Sequence, residues 1–167
     1  DLSQVNSTIH FTYFVNDTLS NIPNCSLIIN GSAESNKSAI EKGAQYFDLR
    51  IPLTGWYNWS VNCSDGINMN ESLGRYITID NTAPLVALSS PAANNITSST
   101  TPAFAGVCND SINSSIGALL LLNGSVKGSA ICTNVSSCQI TSSSLTDGVY
   151  NWSMRCNDTV NNTVYSA

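Results

Sequence analysis

The six cysteines are the residues of this sequence with the clearest potential chemistry, and their spacing limits what that chemistry is. Zinc sites and redox dithiols typically use closely spaced CxxC pairs, and the sequence contains none. An even number of cysteines without such pairs favours disulfides, which persist in exported proteins. Fifteen pairings are open to six cysteines from the sequence alone. We expect disulfides to engage Cys25, Cys63, Cys108, Cys132, Cys138 and Cys156.

Acid–base catalysis has little support in the sequence. The single histidine, His10, falls on the predicted outer side of its strand, opposite Phe11, and we interpret it as a solvated polar residue rather than a base. None of the eleven carboxylates forms a pair that can be placed in one pocket with a substrate, so a glycosidase is not expected. We predict no catalytic residue, no cofactor and no enzyme.

Residues 65–71 faintly resemble a calcium loop, because Asp65, Asn68, Asn70 and Glu71 offer oxygen ligands at short intervals. A related segment at residues 158–162 offers aspartate and asparagine but no glutamate. A hairpin turn accounts for the same residue types. We therefore expect no metal site.

The motif Asn-x-Ser/Thr, the acceptor of N-glycosylation, occurs sixteen times, whereas the composition alone predicts about five. Four copies, at Asn58, Asn62, Asn151 and Asn157, alternate with predicted core residues and so face outward. We predict glycosylation, with incomplete occupancy, at Asn6, Asn16, Asn24, Asn30, Asn36, Asn58, Asn62, Asn70, Asn95, Asn109, Asn113, Asn123, Asn134, Asn151, Asn157 and Asn161.

Some of these sequons also fit an interpretation without a glycan. Asparagine is favoured in turns whether or not it carries a sugar, which accounts for Asn30 and Asn123 equally well. A neighbouring disulfide could also occlude Asn24 and Asn62, whose sequons have cysteine as the middle residue.

Of the three tryptophans, Trp59 and Trp152 occupy predicted core positions, whereas Trp56 falls out of that alternation. An exposed tryptophan could stack on a sugar ring, so carbohydrate binding is an alternative function.

The low charge, 10% of residues with a net charge of −5, excludes a nucleic-acid partner because the six lysines and arginines are scattered.

No segment is long enough to cross a bilayer as a helix: the longest apolar run, residues 116–122, covers seven residues, against about 20 needed. Because the chain starts at Asp1 and stops abruptly, we expect a removed signal sequence or a longer parent chain.

An internal repeat organises the whole chain. The sequence Tyr-Asn-Trp-Ser followed three residues later by cysteine occurs at residues 57–63 and again at residues 150–156. Two further matches precede it in the same order, offset by about 93 residues, so the chain comprises two homologous units. We place the domains at 1–82 and 83–167. Because the first unit contains only Cys25 and Cys63, these two should pair.

Strands rather than helices should build both units. Residues 57–63 and 150–156 alternate between apolar and polar side chains, which is typical of half-buried strands. The pairs Asn-Gly at residues 30–31 and 123–124 predict tight hairpins, since both positions favour positive φ. Many short strands with frequent turns predict an all-β sandwich, with room for one short helix at residues 38–42.

The repeat and its junction resemble tandem immunoglobulin-like domains of large bacterial and archaeal surface proteins. The junction at residues 80–84 is similar to the recurrent Asp-Thr-Thr-Ala-Pro of those arrays, and the sequon density is similar to that of archaeal cell-surface proteins. The resemblance covers nearly the whole chain and implies two tandem immunoglobulin-like β-sandwich domains. It also implies a bridge between facing sheets from Cys108 to Cys156, which leaves Cys132 and Cys138 to close a small local loop.

These observations favour a non-enzymatic structural module of an extracellular, heavily N-glycosylated surface or filament-forming protein. The alternatives are a filament subunit joined by strand donation, for which residues 2–15 could serve as the donated strand, and a carbohydrate-binding adhesin. We expect partners to be copies of the protein or neighbouring domains of a longer chain, together with covalent glycans.

Overall fold

The computed structural model describes residues 8–19 and 21–166, and this part of the chain is all-β. None of the described residues forms a helix long and apolar enough to cross a membrane. The short helix expected at residues 38–42 is wrong: a strand runs through Ile40, Ala39 adopts a φ of 53°, and Gly43 begins the next strand.

The chain divides into two compact units, Asp1–Asn81 (unit 1) and Thr82–Ala167 (unit 2). That division falls one residue before the boundary suggested by the sequence. Independent folding of the two units stays a prediction.

Unit 1 contains two antiparallel sheets. Its strands are β1 (Ile9–Val15), β2 (Ile22–Ile29), β3 (Ser32–Ile40), β4 (Gly43–Leu49), β5 (Gly55–Ser64), β6 (Met69–Glu71) and β7 (Arg75–Ile79). The strands β1 and β4 form the smaller sheet. The larger sheet has the order β3-β2-β5-β6, and β7 continues alongside the first half of β5.

The two sheets of unit 1 enclose one hydrophobic core. Inward-facing residues of both sheets are buried together, including Phe11, Phe47, Leu27 and Val61. The ring of Phe11 meets that of Trp59 edge-on, with centroids 5.1 Å apart. Two sheets with a shared interior core form a β-sandwich, as the alternation in the sequence predicted.

Among the described residues, unit 2 repeats this arrangement with an additional strand at its start and one strand fewer at its end. Its strands are β8 (Leu85–Ser90), β9 (Ala103–Asn109), β10 (Ser115–Leu122), β11 (Ser125–Thr133), β12 (Ser137–Thr141), β13 (Trp152–Asn157) and β14 (Thr163–Tyr165). One sheet has the order β12-β9-β8 and the other β11-β10-β13-β14. Phe104, Ile140, Leu120 and Met154 lie in the core between them. The packing of Phe104 against Trp152, at 5.1 Å, repeats that of Phe11 against Trp59.

Both predicted Asn-Gly hairpins are present. Asn30 and Gly31 connect β2 to β3 with φ values of 50° and 83°, and Asn123 and Gly124 connect β10 to β11 with 49° and 76°. These are the two consecutive positive φ angles that a tight hairpin of matched twist requires. The side-chain oxygen of Asn30 also accepts the backbone N–H of Asn58, at 2.8 Å. Asn123 makes the same contact in unit 2, so each hairpin is tied to the neighbouring strand.

A tyrosine near the start of the repeated segment makes the same side-chain to backbone hydrogen bond in each unit. The hydroxyl of Tyr57 donates to the carbonyl of Leu53 at 3.0 Å, and Tyr150 donates to the carbonyl of Thr146 at 3.1 Å. A tyrosine that bonds back to the backbone a few residues upstream is a known fastening of β-sandwiches, the tyrosine corner. The repeat therefore preserves a hydrogen bond as well as a core.

The structure contains the three predicted disulfides, Cys25–Cys63, Cys108–Cys156 and Cys132–Cys138. Cys63 and Cys156 occupy corresponding positions, yet their bridges differ. Cys63 bonds to Cys25, its cross-strand partner within one sheet, with the Cα atoms 4.1 Å apart. Cys156 instead bonds across the sandwich to Cys108, with the Cα atoms 6.1 Å apart.

Neighbouring residues explain the difference. The residue opposite Cys156 in its own sheet is Ala118, and the unit 1 residue that corresponds to Cys108 is Val15. At these two positions each unit therefore has a single cysteine, on the adjacent strand of the same sheet in unit 1 and on a strand of the facing sheet in unit 2.

Candidate functional site

The predicted sequons lie mostly on the surface. Ten of the asparagines are exposed, namely Asn16, Asn24, Asn30, Asn36, Asn58, Asn70, Asn95, Asn123, Asn151 and Asn161. Four are half-buried, namely Asn62, Asn109, Asn134 and Asn157. Asn6 lies outside the described residues, as do residues 2–7 of the segment proposed for strand donation. The rest of that segment is wrong as a donated strand, because β1 is paired with β4 and buried in the core of unit 1. The exposed group spans both units, so a glycan coat would cover strands and turns alike.

Asn113 is the exception and has to be withdrawn from the predicted set. Its side chain is 8% exposed, its Nδ2 donates to Asp110 Oδ1 at 3.1 Å, and its Oδ1 accepts from the hydroxyl of Thr159. A glycan on Nδ2 would have to displace this buried network. The sequon misled here because the side chain of Asn113 is buried in a turn that it stabilises, and the Asn-x-Ser/Thr motif carries no information about burial.

Asn134 is also held by specific contacts. Its Oδ1 accepts the N–H of Asp110 and its Nδ2 donates to the carbonyl of Asp110, both at 2.7 Å. The amide thus clamps the backbone at the end of β9. Such clamping is the structural use of asparagine that competes with the glycosylation interpretation.

The strand-borne sequons lie on outer faces, as predicted. Asn58 and Asn151 are exposed and Asn62 and Asn157 are half-buried. The side chain of Asn157 lies over Gly117, where a Cβ atom would come within 2.9 Å of Oδ1. Asn157 is therefore covered in part by its own contact with the neighbouring strand, which makes it a poorer acceptor than Asn58 or Asn151.

The residues of unit 1 that resemble a calcium loop are engaged within the fold. Asp65 Oδ1 accepts the N–H groups of Ile67 and Asn68, at 2.8 and 2.6 Å, and its Oδ2 accepts the amide of Asn68. The backbone and side-chain hydrogen bonds from Asn68 and Ile67 hold the pKa of Asp65 below its ordinary value. Glu71 accepts the hydroxyl of Ser60 at 2.5 Å. These contacts support the turn interpretation for residues 65–71.

His10 lies on the exposed face of β1, where its Nδ1 is 2.6 Å from Asp48 Oδ1 and its ring lies 4.2 Å from that of Tyr46. Asp48 and His10 are cross-strand partners, so this pair ties β1 to β4. A cross-strand contact explains the histidine without a catalytic role.

The tryptophans divide as the alternation predicted. Trp59 and Trp152 are half-buried against the two cores, whereas Trp56 is 67% exposed on the outer face of β5. Tyr76 is exposed on the adjacent strand β7, opposite Asn58. Trp56 and Tyr76 lie diagonally on one face, and an aromatic pair of this kind is available to a sugar ring.

One acidic position was missed from the sequence. Asp110 and Asp158 are both buried at the same end of unit 2, and the sequence pattern had not marked Asp110 as a metal ligand. The signal was present, because the tripeptide Cys-Asn-Asp occurs at residues 108–110 and again at residues 156–158. Since Cys108 and Cys156 form a disulfide, the aspartates two residues beyond them are brought close together.

No protein-family model matches the chain, and no curated protein matches it. Among solved structures, the chain is similar to the fibronectin(III)-like modules of Clostridium thermocellum CbhA, with 15% sequence identity and a TM-score of 0.44. The match covers 96% of this chain and 83% of that one. A likeness at this level carries no argument about function.

Proposed function

We propose that the chain is a non-enzymatic structural module of an extracellular, N-glycosylated surface protein. The observation that supports this most is the set of ten exposed sequon asparagines spread over both units. With 10% charged residues, the surface has few of the groups that normally keep a protein soluble. Covalent glycans would supply that polarity and would shield sheet edges from pairing with other chains.

The disulfides support the same proposal. All six cysteines are paired, and disulfides form and persist in oxidising compartments such as the cell exterior. A small sandwich with a limited core gains stability from such cross-links without any ligand. We expect the localisation to be extracellular.

Intact mass and glycopeptide mapping of protein from its native host test the proposal. We expect a mass well above the 17.7 kDa of the polypeptide, with modification at exposed positions such as Asn58 and Asn151. The buried Asn113 serves as an internal control and should be unmodified. A native mass equal to that of the bare chain would refute the glycan part of the proposal.

A second candidate, a filament subunit joined by strand addition, rests on a difference between the two small sheets. In unit 2 the strand β9 pairs with β12 on one side and β8 on the other. The corresponding strand of unit 1, β1, pairs with β4, and no second partner is found for it among the described residues. We propose that a strand of another copy covers this edge, as β8 covers β9.

Negative-stain electron microscopy of native material separates this candidate from a spacer. Regular fibres with a constant repeat would support strand addition. Separate particles at every concentration would reject it and leave the structural-module proposal intact, because that proposal does not require polymerisation.

A further inference from the structure

Two buried carboxylates face each other at one end of unit 2. Asp110 follows β9, Asp158 follows β13, and their side chains are 6% and 3% exposed. A carboxylate oxygen of one lies within 4.8 Å of a carboxylate oxygen of the other. Like charges at this separation and depth repel each other strongly, because little water is available to screen them.

Asp110 carries an oxygen that the fold leaves unsatisfied. Its Oδ1 accepts the N–H groups of Ile112 and Asn113, both at 2.8 Å, and the side-chain amide of Asn113. Its Oδ2 is buried without a hydrogen-bond partner. Native proteins rarely leave such an atom unpaired, since an unsatisfied buried acceptor costs about 1–3 kcal/mol, and more when it is charged.

In the described part of unit 2, no cationic side chain neutralises this pair of carboxylates. No lysine, arginine or histidine of the described part of unit 2 lies within 4.0 Å of either carboxylate. A buried pair of carboxylates without a cationic partner is costly, so the site favours an added positive charge.

We propose that Asp110 and Asp158 bind a divalent cation, and that the cation is calcium. Carboxylate oxygens are hard ligands of the kind that calcium and magnesium prefer. Calcium tolerates irregular oxygen shells, whereas magnesium demands near-ideal octahedral geometry. Asp110 Oδ2 supplies one ligand with no competing hydrogen bond. Asp158 Oδ2 already accepts the side-chain amide of Asn162 at 2.7 Å and offers its second lone pair. Water and backbone carbonyls supply the rest of a shell of about six to eight oxygens.

Such an ion would cross-link the two sheets of unit 2. Asp110 extends from the sheet that contains β9, and Asp158 extends from the sheet that contains β13. Each lies two residues beyond a cysteine of the Cys108–Cys156 bridge. The calcium would therefore form a second link between the sheets directly beside the covalent one.

Unit 1 provides a matched comparison. Asp17 and Asp65 occupy the corresponding positions, but both are only half-buried. Both oxygens of Asp65 accept hydrogen bonds from Ile67 and Asn68. Asp65 thus has no unsatisfied buried oxygen, and Asp65→Asn is a suitable control because it removes one carboxylate at the equivalent turn.

Isothermal titration of the full chain with calcium chloride tests the proposal. We expect binding with a dissociation constant on the order of 10⁻⁴–10⁻³ M, the range of extracellular calcium modules. D110N and D158N should each weaken binding at least tenfold, and D65N should leave it unchanged. Absence of binding to the wild-type chain, or full binding by D110N and D158N, would overturn the proposal.

Thermal melting with and without calcium separates ion binding from a structural role of the aspartates. The wild-type melting temperature should rise with calcium and fall back with EDTA, whereas D158N should lose the calcium-dependent rise. In EDTA, D158N relieves the repulsion but loses the hydrogen bond that Asp158 Oδ2 accepts from the Asn162 amide, so the deciding quantity is the calcium-dependent rise in melting temperature. If calcium leaves the wild-type melting temperature unchanged, or D158N lowers it equally with and without calcium, the two carboxylates serve only the turns and the proposal fails.

Discussion

At the scale of single residues, the two units fill the same core position with different pairs of side chains. Unit 2 has Gly106 on β9 and Met154 on β13, whereas the corresponding residues of unit 1 are Tyr13 and Val61. A Cβ atom on Gly106 would lie 2.6 Å from the sulfur of Met154 and 2.8 Å from the carbonyl oxygen of Ala87. The glycine therefore makes room for methionine and for the close approach of β8.

We predict that Gly106→Ala destabilises unit 2. The flexible methionine can move away from the new methyl group, but the backbone carbonyl of Ala87 on β8 cannot move without disturbing a strand pairing. Overpacking of this kind costs about 1–3 kcal/mol, which urea unfolding would measure. Gly148→Ala is the matched control, because its Cβ would find only ordinary contacts, the nearest at 3.6 Å from Tyr150. Equal effects from the two substitutions would contradict this explanation.

At the scale of elements, the Asn-Gly hairpins set the register of the larger sheet in each unit. Gly31 adopts a φ of 83° with open space around its Cα, so a side chain there would be strained by the backbone alone. We predict that Gly31→Ala destabilises unit 1 by about 1–2 kcal/mol, the cost of placing an L-residue in left-handed conformation. Gly124→Ala should do the same in unit 2. A negligible change in the free energy of unfolding for both would mean that the turns adapt.

Local patterns predicted most of the elements. Alternation identified β5 and β13, the Asn-Gly pairs identified two hairpins, and the domain split identified the partner of Cys25. The short helix at residues 38–42 was wrong because the cross-strand pairing of Ile40 with Ile22 outweighs the local signal. The alternation of apolar and polar residues assigns each residue to one face of its sheet, but it does not identify the residues of the other sheet that lie opposite. The buried pair of Asp110 and Asp158, which come from different sheets, was therefore not predicted.

Glycosylation sites show the same limit. The motif count predicted a dense surface coat, and ten positions are exposed as that requires. Asn113 fails because its amide is committed to Asp110 and Thr159, and the second of these contacts joins residues distant in the sequence. A sequence motif contains no information on such contacts, so exposure had to come from the fold.

At the scale of the whole molecule, each unit has its own core and its own long-range disulfide. The Cys25–Cys63 bridge spans 38 residues within unit 1, and the Cys108–Cys156 bridge spans 48 residues within unit 2. Loops of such similar length restrict the unfolded chain by similar amounts. If the two bridges stabilise their units by different amounts, the difference therefore arises in the folded state. There the Cys25–Cys63 bridge lies within one sheet, whereas the Cys108–Cys156 bridge joins two sheets.

We predict that replacing one bridge with alanines affects one unit and leaves the other unchanged. C108A/C156A should destabilise unit 2 by about 2–5 kcal/mol. C25A/C63A should destabilise unit 1 by a comparable or smaller amount. In unit 2 the position that corresponds to Cys25 is Ala118, so the fold accepts an alanine there without a bridge. Scanning calorimetry should show one transition displaced and one retained in each variant, and hydrogen exchange would assign them to the units. A single transition that moves as a whole in both variants would show that the two units unfold together, against the two-domain prediction.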